Sequence, residues 1–121
     1  MLCDMQYLSG YTILFADPVV ADLNSLDRGA RAQFLIDMSV IGDALPEVTG
    51  AYHINYAVLS NSDPVLHAHI IPRYSDETEA SRKHLPWSYS REVMNGRPFD
   101  ATRDAELISR LRAAVERRLA G

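Results

Sequence analysis

Residues 53–74, with the sequence HINYAVLSNSDPVLHAHIIPRY, decide the fold because they contain two apolar segments separated by a turn. In residues 53–60 both alternating sets of side chains include apolar members, which predicts a strand with two partly buried faces. Residues 61–64, NSDP, have the composition of a turn. Residues 66–73, LHAHIIPR, form the next predicted strand, so the whole stretch predicts a β-hairpin.

The segments that flank this hairpin are predicted as one further strand and two helices. Residues 11–16, YTILFA, are short, β-branched and aromatic, as is typical of a strand. Between residues 25 and 48 apolar side chains recur at helical spacing, with Ser25 as the predicted N-cap. Pro46 is expected to end or kink this first helix. Residues 102–120 carry a second helical stripe of apolar side chains, which predicts an amphipathic helix.

Residues 74–100 show no sustained periodicity and are interpreted as a long irregular excursion of the kind that often covers a site. Trp87, within this segment, is interpreted as an anchor that packs the loop on the core. The order of strand, helix, hairpin, loop and helix predicts the α+β class, with helices packed on an antiparallel sheet. Residues 1–121 are accordingly expected to form a single domain.

Composition and charge narrow the class of protein. The chain of 121 residues is 47% hydrophobic and 23% charged, which is the range of ordinary globular domains. Its formal net charge of −4 argues against polynucleotide binding, which requires a basic face. Apolar runs are shorter than the roughly 18 residues of a membrane span, and the N-terminal sequence lacks the pattern of a secretory signal. We therefore expect no membrane partner. Cys3 is the only cysteine, which excludes an internal disulfide and agrees with a cytoplasmic location.

His67 and His69 form an H-x-H pair on the second strand of the predicted hairpin. Alternate side chains of a strand share a face, so the two imidazoles should be neighbours. A neutral imidazole can attack phosphorus with one ring nitrogen if the other nitrogen donates its proton to an acceptor such as a backbone carbonyl. The alternative interpretation is that both histidines are half-buried strand residues with satisfied hydrogen bonds and no chemical role.

The segment V-L-H-A-H-I-I, residues 65–71, resembles the signature of the histidine triad family, in which three histidines alternate with apolar residues. The second and third histidines of that motif match His67 and His69, whereas Val65 replaces the first. The resemblance covers roughly residues 10–75. A further departure lies upstream, where a valine occupies the place of a fourth histidine that many members carry; the candidates are Val19 and Val20.

The resemblance implies an HIT-like fold, with an antiparallel sheet of about five strands and two main helices. It also implies a homodimer, because family members pair into one continuous sheet across a two-fold axis. The two missing histidines put the rate of catalysis in question more than the fold, since neither occupies the position of the nucleophile.

The function that the resemblance implies is hydrolysis or transfer at the α-phosphate of a small-molecule nucleotide derivative, without a metal or another cofactor. His67 matches the nucleophile, which forms a nucleotidyl-histidine that water then hydrolyses. His69 matches the histidine that binds and orients the phosphate. Three further residues are expected to contact phosphate: Asn61, Ser62 and Arg73.

Alternatives to this function remain open at the level of the sequence. Diadenosine polyphosphates and nucleoside phosphoramidates are both implied as substrate classes, and neither the base nor the leaving group is specified. A second hypothesis is a nucleotide-binding module that has lost useful turnover. A third is a zinc site at the H-x-H pair, which would need another ligand from His53, His84 or a carboxylate.

Overall fold

An antiparallel sheet forms the centre of the molecule, and the computed structural model describes it within residues 1–120. In this part of the chain the sheet has three strands in the order β1-β3-β2. The strands are β1 (Thr12–Phe15), β2 (His53–Ala57) and β3 (His67–Arg73). The helices are α1 (Arg28–Thr49), α2 (Glu79–Arg82), α3 (Arg91–Asn95) and α4 (Ala105–Ala120). The predicted α+β class, the hairpin and the two main helices are confirmed.

The expected number of about five strands is wrong for residues 1–120, where the N-terminal segment forms single bridges instead of a ladder. Leu2 bridges to Thr12, and Met5 bridges to Pro98. The segment folds back on itself around the buried amide of Gln6, whose Nε2 donates to the carbonyls of Cys3 and Tyr11 at 2.9 Å. These bonds, together with the bond from the Cys3 N–H to the Tyr11 carbonyl at 2.8 Å, satisfy backbone groups of the segment without a continuous ladder.

The N-cap of helix α1 lies two residues later than predicted. Asp27 is the cap, since its carboxylate accepts a hydrogen bond from the backbone N–H of Ala30 at 2.9 Å. Ser25 lies instead at the end of a preceding 3-10 turn (Leu23–Ser25), where Asp22 caps the turn.

Pro46 does not end helix α1, which continues to Thr49. Proline lacks the N–H that would bond to the carbonyl four residues earlier, so the helix loses one hydrogen bond at Pro46. Because Pro46 lies in the last turn, only three helical residues follow it. Gly50 ends the helix in the left-handed conformation, with φ of 76° and its N–H bonded to the carbonyl of Pro46 at 2.9 Å.

The two faces of β3 are covered by different parts of the chain. Ile70 packs into a cluster with buried residues of α1 and α4, which are Ala44, Leu45, Leu111 and Ala114. Ile71, on the opposite face, packs with Tyr11 and the partly buried Trp87. The interpretation of Trp87 as a loop anchor is therefore confirmed, and the residues 74–100 cover the sheet face away from the helices.

The segment 74–100 contains more regular structure than its sequence pattern indicates. It includes α2, α3 and a short 3-10 turn (Pro86–Ser88), each of which is five residues or shorter. Such short helices complete too few turns to produce a readable period. Within residues 1–120 no helix has both the length and the apolar character that crossing a bilayer requires.

Candidate active site

His67 and His69 lie side by side on the face of β3 that points away from the helices. Their ring centroids are 4.9 Å apart, with the rings edge to face. Both residues are half-buried. On the neighbouring strands, Phe15 is the partner of His67, and Ile13 and Ala57 are the partners of His69. The predicted shared face is confirmed.

His67 is oriented by a backbone carbonyl. Its Nδ1 lies 2.7 Å from the carbonyl oxygen of Val65. A carbonyl only accepts hydrogen bonds, so Nδ1 carries a proton, and in the neutral imidazole the lone pair is then on Nε2. The Ser60 hydroxyl donates to the same carbonyl at 3.3 Å, from a residue with a φ of 54°. The orienting group is main chain, so replacement of the first motif histidine by Val65 does not remove it.

His69 is held by different groups. Its Nδ1 lies 2.6 Å from the hydroxyl oxygen of Tyr11. The indole of Trp87 meets the imidazole edge to face, with ring centroids 5.4 Å apart. Burial, and then the neighbouring His67, lowers the pKa of His69 below its ordinary value. His69 is therefore neutral at physiological pH.

Of the two upstream valines, Val20 takes part in the main-chain pairing next to the site. The carbonyl of Val20 accepts a hydrogen bond from the N–H of Leu66 at 2.8 Å, which extends the pairing just before β3. Val20 also packs against the cluster around Phe34, whereas Val19 is 73% exposed.

Asn61 and Ser62 lie exposed in the turn between β2 and β3. Among residues 1–120 no hydrogen bond joins either side chain to the histidines, and their contact with phosphate stays a prediction. Ser60, one residue earlier, is the member of this turn that the structure connects to the histidine pair through the carbonyl of Val65.

The expected phosphate contact of Arg73 needs correction, because this side chain is a structural anchor. It is 2% exposed, and all five of its N–H donors are engaged. Two bonds, of 3.0 and 3.3 Å, reach the carboxylate of Glu77. The others reach the amide oxygen of Asn55 and the carbonyls of Ser81 and His84, at 2.6 to 2.9 Å. With no donor left for a ligand, Arg73 fastens the 74–100 segment to the sheet.

A cleft of about 310 Å³ opens beside Phe15, the strand partner of His67, and neither histidine lines it. Phe15 lines it and also lies 5.8 Å from His67 between ring centroids, so the cleft and the site adjoin. The other lining residues are Leu14, Ala16, Asp17, Leu26, Ala30, Gln33, Phe34 and Asp37. Most of the lining side chains are apolar, and the polar ones are the two carboxylates and the Gln33 amide.

Three residues of the site were missed at the level of the sequence: Tyr11, Phe15 and Ser60. The first two reach the histidines only through the register of β1 on β3, in which Phe15 pairs with His67. No local sequence pattern specifies that register, since the two strands are separated by more than 50 residues. Ser60 could have been noticed as the last residue before the predicted turn.

Other candidate groups do not form a second site. Among residues 1–120 no three His, Cys, Asp or Glu side chains come together in a way that could hold a metal ion. The zinc hypothesis thus lacks a third ligand in this part of the chain. Cys3 is buried, and burial raises the pKa of its thiol, which keeps it protonated and unreactive.

Comparison with solved structures identifies the family to which the fold belongs. No family model and no curated protein matches the chain. Solved structures do match. A histidine triad protein from Bradyrhizobium japonicum is 29% identical, with a TM-score of 0.75 over 94% of this chain and 81% of that one.

Two more distant structures share the fold. A histidine triad protein from Marinobacter aquaeolei VT8 is 21% identical, with a TM-score of 0.74 over 96% of this chain and 80% of that one. A histidine triad protein from Sinorhizobium meliloti 1021 is 19% identical, with a TM-score of 0.72 over 93% and 79%. The protein belongs to the histidine triad superfamily.

Proposed function

We propose that the protein hydrolyses or transfers the nucleotidyl group of a nucleotide derivative, with His67 as the nucleophile. The observation that carries this proposal is the 2.7 Å hydrogen bond from Nδ1 of His67 to the carbonyl of Val65. That bond gives the imidazole the one tautomer in which Nε2 can attack.

In the proposed first step, Nε2 of His67 forms a bond to the α-phosphorus. The leaving group departs with the electron pair of its own bond to phosphorus and takes up a proton. The imidazole of the nucleotidyl-histidine is positively charged, and the Nδ1–H that it keeps donates a stronger hydrogen bond to the Val65 carbonyl. In the second step water attacks phosphorus, releases the nucleoside monophosphate and a proton, and regenerates neutral His67.

The nucleoside is expected to occupy the cleft next to Phe15. Apolar side chains such as Leu26 and Phe34 suit a base, and the carboxylates of Asp17 and Asp37 can accept hydrogen bonds from ribose hydroxyls. The same carboxylates repel phosphate. A ligand would therefore place its nucleoside in the cleft and its phosphate at the histidines, in the orientation that the reaction requires.

Diadenosine polyphosphates and nucleoside phosphoramidates are the proposed substrate classes. Both contain a nucleoside joined to an α-phosphate with a departing group. His69, and by the family resemblance Asn61 and Ser62, would bind the phosphate oxygens.

A binding module without useful turnover is the second candidate function. The valines at position 65 and at the upstream position favour it, because they stand where the family resemblance expects two further histidines. This candidate uses the same cleft and histidine pair, so binding alone does not separate the two.

Single-turnover labelling separates them. The wild type, incubated with a diadenosine polyphosphate radiolabelled at its α-phosphates, should yield a covalently labelled protein after rapid quenching. His67→Ala should abolish the label and the turnover of a fluorogenic adenosine phosphoramidate. His69→Ala should retain a measurable fraction, because losing one donor costs about 10² to 10³ in rate.

The matched control is His53→Ala, which removes an exposed histidine from the neighbouring strand β2 and should label like the wild type. All variants should still bind adenosine monophosphate in a titration. Labelling of His67→Ala at the wild-type rate would refute the nucleophile. Binding of the monophosphate without any label in the wild type would establish the binding module.

A further inference from the structure

Tyr11 is a fully buried residue whose hydroxyl contacts the second histidine of the pair. Its side chain is 0% exposed, in a cluster with Ile71 and Trp87. The hydroxyl oxygen lies 2.6 Å from Nδ1 of His69, and the two rings meet edge to face. This distance is short for a hydrogen bond between an oxygen and a nitrogen, and it ties the imidazole to the core.

The hydrogen bond between these groups has a definite direction. Within residues 1–120 the Tyr11 hydroxyl has no other acceptor, so donation from His69 would leave a buried O–H without a partner. Burial raises the pKa of Tyr11 far above its ordinary value, so the phenol keeps its proton. The tyrosine is therefore the donor and Nδ1 of His69 the acceptor.

We propose that Tyr11 is a positioning residue that holds neutral His69 in the tautomer protonated at Nε2. The two imidazoles then take opposite tautomers. His67 is protonated at Nδ1 by virtue of the Val65 carbonyl and offers a lone pair. His69 is unprotonated at Nδ1 by virtue of Tyr11 and offers an N–H donor.

The opposite tautomers have a chemical consequence, which rests on the proposed function. If both histidines presented lone pairs to a phosphate, the second would repel the phosphate oxygens. A donor at His69 attracts those oxygens and the charge that develops on them. Because this donor is neutral, it does not add a positive charge beside His67, where such a charge would weaken the nucleophile.

Nitrogen NMR spectra of the imidazole rings test the proposal without any substrate. In the wild type at neutral pH, His69 should show an unprotonated Nδ1 and a protonated Nε2, and His67 the reverse. In Tyr11→Phe the His69 signals should move towards the other tautomer or an average of the two. A wild-type His69 protonated at Nδ1 would overturn the proposal.

Tyr74→Phe is the matched control. Tyr74 packs against the same cluster, and its hydroxyl donates to the carbonyl of Ser9, away from the histidines. Both variants lose one tyrosine hydroxyl, so both should lose similar thermal stability, but the control should keep the wild-type imidazole spectrum. A spectrum of Tyr11→Phe identical to that of the control would also overturn the proposal.

The rate of covalent labelling is an independent test of the positioning role of Tyr11. Tyr11→Phe should form nucleotidyl-histidine about 10-fold to 100-fold more slowly, by analogy with the loss that follows removal of the partner that orients a metal-binding histidine. Its affinity for adenosine monophosphate should change little. A changed tautomer with an unchanged rate would refute the positioning role. If the wild type shows the expected imidazole spectra but forms no labelled protein, the proposed function is refuted and the tautomer assignment is supported.

Discussion

At the scale of single residues, the histidine pair shows how identical side chains acquire different chemistry from their partners. His67 is paired with a backbone carbonyl and His69 with a phenol. The carbonyl belongs to Val65, whose side chain takes no part in the bond. A sequence with valine at the first motif position can thus keep the carbonyl that orients His67.

Val65→His should change activity more than stability, since position 65 is half-buried beside the site and can hold either side chain. We expect a free energy of unfolding within about 1 kcal/mol of the wild type, and a measurable change in the labelling rate. Thermal denaturation and single-turnover labelling check the two parts.

Val65→Gln is the control, because it adds a polar side chain without an imidazole. Unaltered turnover of Val65→His together with a lowered melting temperature would show that Val65 is a core residue and not a neighbour of the phosphate.

At the scale of elements, Arg73 and Glu77 connect strand β3 to the segment that covers the site. Both side chains are almost fully buried, at 2% and 6% exposure. The carboxylate of Glu77 also accepts from the Tyr89 hydroxyl and from the backbone N–H of Tyr74. Burial acts to raise the pKa of Glu77, but the bonds from Arg73, Tyr89 and Tyr74 outweigh it and lower that pKa. The pair stabilises the covering segment, which carries Trp87.

Glu77→Gln should destabilise the fold by about 3 kcal/mol, because it leaves a buried guanidinium without a counter-charge. The control is Glu79→Gln. Glu79 pairs with Lys83 at the same spacing of four residues, but both side chains are more than 60% exposed, and such pairs contribute about 0 to 1 kcal/mol. Chemical denaturation of both variants checks the difference. Equal losses would contradict the anchoring role.

The same pair predicts a dependence of stability on pH. The folded state holds the pKa of Glu77 below its ordinary value, so the unfolded state binds the proton more readily. The stabilisation is fully present above the unfolded value, about 4.3, and is lost as the pH falls from there through the lowered folded value. Melting temperatures measured over this range should fall less steeply for Glu77→Gln than for the wild type.

At the scale of the whole molecule, the outer edge of β2 suggests how two copies would meet. In the described part of the chain β2 pairs only with β3 and is the last strand of the sheet. Tyr52 and Tyr56, at this strand, are 52% and 43% exposed. An open edge flanked by exposed aromatic side chains can pair with another strand. We therefore keep the prediction of a homodimer, now with this edge as the proposed interface.

Light scattering at micromolar concentration should give the mass of a dimer. Tyr52→Asp should shift the protein towards the monomer, since two introduced carboxylates would face each other across a two-fold interface. Leu119→Asp, at an equally exposed apolar residue of α4, should leave the mass unchanged. A wild-type monomer at this concentration would refute the prediction.

The sequence by itself determined the local features of this protein. Alternation along residues 66–73 placed His67 and His69 on one face, turn chemistry placed the hairpin, and helical spacing placed α1 and α4. These features depend on residues a few positions apart, so the spacing of apolar side chains along the sequence is enough to predict them.

Only the tertiary structure decided which groups face the histidines. The register of β1 on β3 brings Tyr11 to His69 and Phe15 to His67 across more than 50 residues of chain. The docking of residues 74–100 supplies the acceptors that turn Arg73 from an expected phosphate ligand into an anchor. Contacts of this kind leave no local period, because they depend on which distant side chains fill the same space when the core closes.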